Sequence, residues 1–260
     1  NGVSPGGTQA PAVQSAADLC SVGLAFKLAH ALLKRGRETG LNGANDYDLK
    51  QCLDLVALGT VADLVPLTGE NRVLVSAGLE QLRKTKRPGL QALKEVARCP
   101  ECLSTVEVGF QLAPRLNAAG RMETAQDALN LLTAIDATTA LALAQKLDGH
   151  NRERQKLERS IAGQALEVVQ ARFNPEQDYV IVEGQDVWHV GVVGIVASRV
   201  LHQFHRPTII VGGDGTCYRG SGRSIPGFDL AAALRECGDL LLRHGGHAMA
   251  AGLSLDPQNL

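Results

Sequence analysis

The sequence is poor in aromatic residues and in net charge. Phe, Trp and Tyr make up 3% of its 260 residues, the formal net charge is −1 at pH 7, and the pI is about 6.7. A core of this composition must be aliphatic, and a binding surface of stacked aromatic rings is not expected. Because a general basic surface is absent, any contact with nucleic acid must come from a local group of arginines.

Long apolar runs and paired cysteine motifs are also missing. No run approaches the roughly 18 apolar residues of a membrane-spanning helix, so we expect no contact with a membrane. The six cysteines include one Cys-x-x-Cys, Cys99 to Cys102. Structural zinc takes four ligands, so this lone pair is better explained as a loop, and reduced thiols fit a cytoplasmic protein. The chain starts without a signal peptide, and we expect it to be an internal piece of a longer protein.

The apolar spacing divides the chain into a helical part and an α/β part. Apolar residues at helical steps predict helices over 24–36, 49–59, 71–84, 88–97, 125–134 and 137–147. A charged segment then leads into one long helix over 151–173, which we interpret as a connector between domains. Strand-like runs at 179–182 and 208–211 flank a helix over 192–204, which is the βαβ pattern.

The last eighty residues continue the α/β pattern. The segment 217–224 has the character of an extended strand, and Asp229 is a good N-cap for a helix reaching about residue 243. Gly245 would end that helix, a loop would follow over 246–252, and 253–255 would be a last strand. The sequence therefore predicts the α/β class.

Asp63 is the first candidate for chemistry because it is a carboxylate within an apolar segment. An unpaired buried carboxylate is costly, so we expect this one to be ligated, hydrogen-bonded or ion-paired. A metal ligand, an N-cap and an arginine partner are all open interpretations.

A second candidate is the segment 114–121, in which Arg115, Asn117 and Arg121 alternate with small residues. Small residues let a phosphate approach closely, and arginine offers a fork of donors that fits phosphate oxygens. A tight helix crossing with solvated arginines explains the same pattern.

The third candidate is the segment 218–224. In an extended chain, alternation places Arg219, Ser221 and Arg223 on one face, where two cations and a hydroxyl could hold phosphates in a row. A solvated edge strand is the alternative.

Two histidine segments complete the set. Gly245 and Gly246 could form a backbone nest for an anion, and His247 could donate to a phosphate or neutralise a leaving group. His189 follows the only tryptophan, Trp188, between a strand and a helix, where α/β sheets place ligand sites. A helix C-cap with a core histidine, and a packing role for Trp188 and His189, explain these segments as well.

Taken together, six stretches resemble the RecJ branch of the DHH phosphoesterase superfamily, and they follow one another in that family's order. They are Leu58-Gly-Thr-Val-Ala-Asp-Leu-Val-Pro-Leu67, Glu70-Asn-Arg72, Ala113-Pro-Arg-Leu-Asn-Ala-Ala-Gly-Arg121, Trp188-His-Val-Gly-Val-Val-Gly-Ile-Val-Ala-Ser-Arg199, Gly220-Ser-Gly-Arg-Ser224 and Gly245-Gly-His247.

The resemblance implies a fold and a site. Residues 1–147 would be the C-terminal part of a DHH domain, mostly helical here, 148–173 the connector helix, and 174–260 a DHHA1 α/β domain that grips the nucleic-acid backbone. Asp63 would ligate one of two Mn²⁺ or Mg²⁺ ions. Ser221, Arg223 and His247 would hold phosphates across a shared groove from Asp63, with Arg115, Asn117 and Arg121 as further members.

The resemblance also implies a function, a single-stranded-DNA-specific exonuclease that works 5′ to 3′ by two-metal hydrolysis in DNA repair and recombination. A single-strand-binding protein and a helicase would be its protein partners. The Asp-His-His motif that names the superfamily is absent from these 260 residues, so we expect this chain alone to be inactive. A phosphodiesterase of short oligonucleotides or cyclic dinucleotides, and a non-catalytic DNA-binding scaffold, are the alternatives.

Overall fold

The computed structural model describes residues 19–213 and 215–260, which form two compact units. The described part of the first unit is 19–117 with 127–148. That of the second is 118–126, 149–213 and 215–260. Within these residues, no helix combines the length and apolar character that crossing a lipid bilayer requires.

The first unit is helical, as its spacing predicts. Its helices are α1 (Ser21–Glu38), α2 (Leu53–Ala62), α3 (Gly69–Arg83), α4 (Pro88–Val96), the short α5 (Thr105–Glu107), the start of α6 (Ala113–Met122), α7 (Gln126–Leu132) and the start of α8 (Ala137–Arg172). A 3₁₀ turn, Leu49–Cys52, precedes α2, and a π-helical turn, Val108–Leu112, precedes α6.

Helix α2 is the centre of the first unit. Val56, Ala57 and Leu58 are 3% exposed or less, and the helix packs against α3. Gly78 permits this packing, because a Cβ there would lie 2.3 Å from the carbonyl oxygen of Leu53.

Helix α8 corrects one expectation. The sequence predicts two helices, 137–147 and 151–173, whereas the structure has one helix of 36 residues. Gly149 at the join costs about 1 kcal/mol relative to alanine. Its neighbours compensate, because Asp148 and Asn151 are buried and accept hydrogen bonds from Arg115 and Arg154 respectively.

The second unit contains a five-stranded sheet with strand order β1-β2-β3-β5-β4. Its strands are β1 (Ile181–Gln185), β2 (Thr208–Gly213), β3 (Tyr218–Arg223), β4 (Leu241–His247) and β5 (Ala250–Leu255). β1 and β2 are parallel and are joined through helix α9 (Val193–Phe204), and the remaining pairs are antiparallel. The predicted βαβ unit is therefore confirmed.

Alternation along β2 separates two cores. Ile210 points into a core with Trp188 and Val196, formed by α9 and the C-terminal part of α8. Ile209 and Val211 point into the opposite core, formed with helix α10 (Leu230–Glu236). Both faces of β2 are thus covered, as a strand of near-continuous apolar residues requires.

The end of the chain corrects a second expectation. Asp229 caps α10 as predicted, accepting from the backbone N–H of Ala232 at 2.9 Å, but the helix ends at Glu236 and not near residue 243. The residues that follow form β4, so Gly245, Gly246 and His247 are strand residues and not a loop after a helix. Pairing with β5, with one register shift between Leu241 and Arg243, outweighs the predicted continuation of the helix.

Candidate functional site

Strand β3 carries the row of polar residues that alternation predicts. Ser221 pairs with Ile210 across β2, so Arg219, Ser221 and Arg223 lie on the sheet face that packs against α9. The guanidinium of Arg223 donates from Nη1 to Ser221 Oγ at 2.8 Å and to the Gly222 carbonyl oxygen at 2.8 Å. The hydroxyl therefore orients the arginine.

The first turn of α9 lies directly against this row. A Cβ on Gly194 would be 2.9 Å from Ser221 Oγ and 3.0 Å from Arg223 Nη2. The helix has no side-chain cap at Val192, so its first N–H groups lack the partner that a capping residue supplies. Glycine at this position brings partially positive N–H groups beside a guanidinium and a hydroxyl, which is a favourable setting for an anion.

Arg121, at the end of α6, adds a second cation. Its Nη1 donates to the Gly191 carbonyl oxygen at 3.3 Å, and a Cβ on Gly191 would lie 2.0 Å from the Arg121 carbonyl oxygen. The pKa of Arg223 is lowered, first by burial and then by the charge of Arg121. Two like charges at close quarters oppose each other unless an anion joins them.

His189 is part of the turn that holds Arg121. Its Nδ1 accepts the N–H of Gly191 at 3.1 Å, so the neutral imidazole carries its proton on Nε2 and is a donor there. Trp188 beside it is 1% exposed and donates from Nε1 to Gln164 Oε1 at 2.8 Å. The packing role that the sequence leaves open for Trp188 is therefore the one observed.

His247 is aligned with Arg223 across the sheet. Arg223 pairs with Ala250, and Ala250 pairs with His247, so all three lie on one face. Two strand spacings separate Arg223 from His247, which is about 10 Å between backbones. His247 is exposed, and its Nδ1 accepts the N–H of Met249 at 3.3 Å, so its Nε2 is also a donor in the neutral form.

Gly245 and Gly246 do not form the predicted nest. Gly245 pairs with Gly252, which pairs with Ser221, and Gly246 pairs with Ala251. Their backbone groups are in the ladder of the edge strand, and a nest requires successive N–H groups turned toward one point. Gly245 lies on the same face as Ser221, where a Cβ on it would meet nothing within 4 Å, whereas Gly246 lies on the opposite face.

Three charged residues in the second unit were missed by sequence reasoning. Glu158 is buried and accepts from Arg199 Nη2 at 2.6 Å, while Arg154 Nη1 lies 3.4 Å from its other oxygen. A signal was present, because positions 154 and 158 continue the apolar stripe of Ile161 and Ala165 at helical steps. Charged residues on the buried side of a helix need partners.

In the first unit, Asp63 is exposed, contrary to the expectation for its apolar segment. It follows the last residue of α2, and its N–H donates to the Gly59 carbonyl oxygen at 3.0 Å. The buried carboxylate of this helix is Asp54, which accepts from Thr85 Oγ1 at 2.8 Å and from Arg87 Nε at 3.1 Å. An open carboxylate is a suitable oxygen ligand for Mg²⁺ or Mn²⁺, so Asp63 fits as one ligand of such an ion.

Arg115 and Asn117 differ in their surroundings. Arg115 donates to Asp148 Oδ1 at 2.9 Å and to the Gln111 carbonyl oxygen at 2.6 Å, and both charges are largely buried. Asn117 is exposed and lines a cleft of about 1230 Å³ with Asp54 and Lys84. A phosphate-binding role for these two residues stays a prediction, and for Arg115 the observed partner is internal.

The structure thus brings Arg121, His189, Ser221 and Arg223 together in the second unit. His247 lies on the same sheet face, two strands from Arg223. Asp63, Arg115 and Asn117 belong to the first unit.

The chain is similar in sequence and in fold to known proteins. The model of the DHHA1 domain family matches residues 177–260. The single-stranded-DNA-specific exonuclease RecJ of Bacillus subtilis (strain 168) is 43% identical over 246 residues, which are 94% of this chain and 30% of that protein. The enzyme of the same name from Escherichia coli (strain K12) is 42% identical over 262 residues, covering 92% of this chain and 43% of that protein.

Solved structures give the same picture. The crystal structure of RecJ in complex with Mg²⁺ from Thermus thermophilus superimposes with a TM-score of 0.80 at 37% identity, covering 95% of this chain and 37% of that one. A crystal structure of exonuclease RecJ bound to manganese has a TM-score of 0.79 at 37% identity, covering 95% of this chain and 59% of that one. This chain therefore spans less than half the length of the curated relatives described above.

Proposed function

Because this chain is a RecJ-like member of the DHH/DHHA1 phosphoesterase superfamily, we propose that the protein is a single-stranded-DNA-specific exonuclease that hydrolyses phosphodiester bonds with the help of metal ions. The observation that carries the proposal is the group formed by Arg121, Ser221 and Arg223 against the first turn of α9. It offers two cations, a hydroxyl and backbone N–H groups to one anion, and no base-specific element.

The residues of this group would hold the DNA backbone. Arg223 is fixed by Ser221 and presents a planar fork of donors that matches phosphate oxygens. Arg121 adds charge to the same place, and Gly194 leaves room for the phosphate itself. Contacts of this kind position a strand without reading its sequence, which suits an exonuclease.

Two histidines extend the donor set. His189 and His247 each accept a backbone N–H at Nδ1, so each can donate from Nε2. We propose that His189 contacts a phosphate, and that His247 donates to the leaving oxygen or a neighbouring phosphate. Gly245 keeps the sheet face that carries Ser221 open for the strand.

Asp63 is the proposed metal ligand of this chain. Its exposed carboxylate can bind Mn²⁺ or Mg²⁺, and further ligands are needed to complete the shell of either ion. Metal ions bound there would supply the activation of water and the stabilisation of charge on the phosphate oxygens. Arg223 and Ser221 contribute the positioning of the substrate for that reaction.

The finer parts of the proposal rest on the family resemblance of the sequence motifs. We propose 5′-to-3′ cleavage in DNA repair and recombination, with a single-strand-binding protein and a helicase as partners. All six cysteines are free, which fits the reducing cytoplasm where such a nuclease meets chromosomal DNA.

The decisive experiment separates binding from cleavage in the full-length protein that contains this chain. Asp63→Ala should abolish Mn²⁺-dependent cleavage of a single-stranded oligonucleotide while its binding is kept. Arg223→Gln should weaken binding roughly tenfold or more, as loss of a charge-assisted contact does. Arg235→Gln, which removes an exposed arginine from α10, is the matched control and should change neither.

Undiminished cleavage by the Asp63→Ala protein would contradict the role of Asp63. A preference for dinucleotides over a long strand would instead favour a phosphodiesterase of short substrates. Binding without cleavage in the unaltered protein would favour a scaffold.

A further inference from the structure

The sheet face that carries Ser221 and Arg223 continues over the two strands beyond β3. Helix α9 packs against β2 and β3 on this face, whereas α10 packs against β4 and β5 on the opposite face. Gly252 of β5 pairs with Ser221, and Gly245 of β4 pairs with Gly252. Both glycines are exposed, so the face is open to solvent beyond Ser221.

The positions of this open face are basic, hydroxylic or small. Beside the polar row of β3, the face comprises Ala250, Gly252 and Ser254 of β5 and Arg243, Gly245 and His247 of β4. We call these positions, together with the row of β3, the basic sheet face. It carries neither a carboxylate nor the ring of a Phe, Tyr or Trp. A surface of this kind attracts the charged backbone of a nucleic acid and offers no platform for stacking bases.

Two arginines of the basic sheet face lie on either side of Ser254. Arg219 pairs with Ser254 from β3, and Arg243 pairs with it from β4, just after the register shift that begins at Leu241. Both arginines are exposed, and neither forms an ion pair with another residue of 19–213 or 215–260. Two cations and a hydroxyl on one face are also what the Ser221–Arg223 site offers together with Arg121, so this second group has the same chemistry.

The spacing of the two groups suits a polynucleotide. Arg219 is two residues from Ser221 along β3, which is about 7 Å, similar to the separation of successive phosphates in an extended strand. Arg243 is two strands and two residues from Ser221, which is about 12 Å between backbones. The surface between the groups is low, because a Cβ on Gly245 would meet nothing within 4 Å and a Cβ on Gly252 nothing closer than 3.9 Å.

We propose that Arg219, Ser254 and Arg243 form a second phosphate subsite, which holds the next phosphates of the DNA strand bound at the Ser221–Arg223 site. This inference rests on the proposed function and deepens it, because it assigns the strand a path across β5 over Gly252. The occupant is the same single strand, since a chain of regularly spaced anions matches both groups and the open surface between them. The subsite holds the strand without reading its bases.

The test compares two lengths of DNA bound to the full-length protein without metal. An oligodeoxythymidylate of about twelve nucleotides covers both groups, and fluorescence anisotropy measures its binding. A 5′-phosphorylated dithymidylate covers the Ser221–Arg223 site, and isothermal titration calorimetry measures its binding. At about 0.15 M salt the screening length is about 8 Å, shorter than the distance from Arg243 to Ser221. The charge of Arg243 should therefore have little effect on the dinucleotide.

Arg243→Gln should weaken binding of the long strand roughly fivefold, because a charge-assisted contact to phosphate is lost. The slope of log affinity against log salt concentration should become shallower by about 0.7, as loss of one phosphate contact to a single strand predicts. Binding of the dinucleotide should stay unchanged. Arg219→Gln should also weaken binding of the long strand, and Arg243→Lys, which keeps the charge, should restore most of the affinity.

The controls separate the face from the strand and the charge from the fold. His244→Gln alters the exposed neighbour of Arg243 on the opposite face of β4, and Arg235→Gln removes an exposed charge from α10, so neither should change binding. Gly252→Val places a side chain in the path without changing charge, and it should weaken binding of the long strand more than that of the dinucleotide. Thermal unfolding of each variant shows whether it is folded, and the Arg243 variants carry the test if Gly252→Val unfolds.

The outcomes separate this subsite from the proposed function. Unchanged binding of the long strand by Arg243→Gln and Arg219→Gln, together with weakened binding by Arg223→Gln, would overturn the second subsite and leave the function intact. Equal weakening of the long strand and the dinucleotide would also overturn it, because Arg243 would then act only as a general charge. Weaker binding of poly-L-glutamate by Arg243→Gln, with DNA binding unchanged, would assign the face to an acidic protein instead. Unchanged binding by Arg223→Gln would overturn the proposed phosphate site itself.

Discussion

The two units treat their buried charges differently. In the first unit, Asp54 is matched by Thr85 and Arg87, and Arg115 is matched by Asp148. In the second unit, Arg223 has no carboxylate partner within the described residues, although burial and the charge of the exposed Arg121 disfavour its cation. Matched charges are what a folded core needs, and a surplus of one sign is what an anion-binding surface needs.

Whether a charged side chain has an internal partner distinguishes structural residues from binding residues better than the residue type does. Arg115 and Arg121 belong to one motif of the sequence, six positions apart, yet one is closed off by an ion pair and the other is exposed beside Arg223. Asp54 lies within α2 and Asp63 follows its last residue. The buried Asp54 is paired with Thr85 and Arg87, whereas Asp63 is exposed. The difference between these two carboxylates can be tested directly.

The largest expected effect is on stability, from Asp54→Ala. The substitution leaves Arg87 and the buried Thr85 without their carboxylate, so the first unit should lose about 3 kcal/mol of its free energy of unfolding. Denaturant unfolding followed by circular dichroism measures this loss. Asp63→Ala is the control and should stay within about 0.5 kcal/mol, as an exposed site does. Equal losses of unfolding free energy in the two variants would show that the pairing of Asp54 does not stabilise the first unit.

A smaller and purely functional effect is expected from Gly194→Ala. The new methyl group would reach Ser221 Oγ and Arg223 Nη2, which are side-chain atoms that can shift, so the fold should persist. Oligonucleotide affinity should fall about tenfold because the arginine leaves its position and the space for the phosphate closes. Gly163→Ala is the matched control on α8, where nothing lies within 4 Å of the added Cβ. There, stability should rise slightly and affinity should not change.

The smallest effect concerns a surface carboxylate of the first unit. Glu107 forms a capping box with Ser104, and the hydrogen bonds from Ser104 lower the pKa of Glu107 below its usual 4.5. A lowered pKa in the folded state gives stability that is present above the usual value and is lost as the pH falls through the folded one. Glu107→Ala should therefore lower the melting temperature at pH 7 more than at pH 3. A difference that is independent of pH would show that the charge plays no part.

The sequence predicted the polar row because alternation in a strand is a local property. Arg219, Ser221 and Arg223 needed only an extended backbone to share a face, and the apolar run 208–211 identified the neighbouring strand. The helix over 192–204 followed equally from its own spacing.

What the sequence missed was decided by pairing and hydrogen bonding that the apolar spacing does not reveal. The sequence predicts a helix to about residue 243, and pairing with β5 makes residues 241–247 a strand. The continuity of α8 through Gly149 depends on Arg115 and Arg154, which bind Asp148 and Asn151. The exposure of Asp63 could not be inferred from its apolar neighbours, because a helix end places successive residues in different environments.

Strand β3 has one further consequence. Gly220 and Gly222 alternate with the polar row, and a Cβ on them would lie 2.6 Å from Val211 Cγ1 and Leu230 Cδ2 respectively. Loss of a single residue from this strand would therefore turn the arginines toward the core on the opposite face, where there is no room for side chains, and would turn the glycines toward α9. Insertions and deletions should be far less tolerated in this strand than substitutions, because the alternation of side chains between the two faces specifies the site.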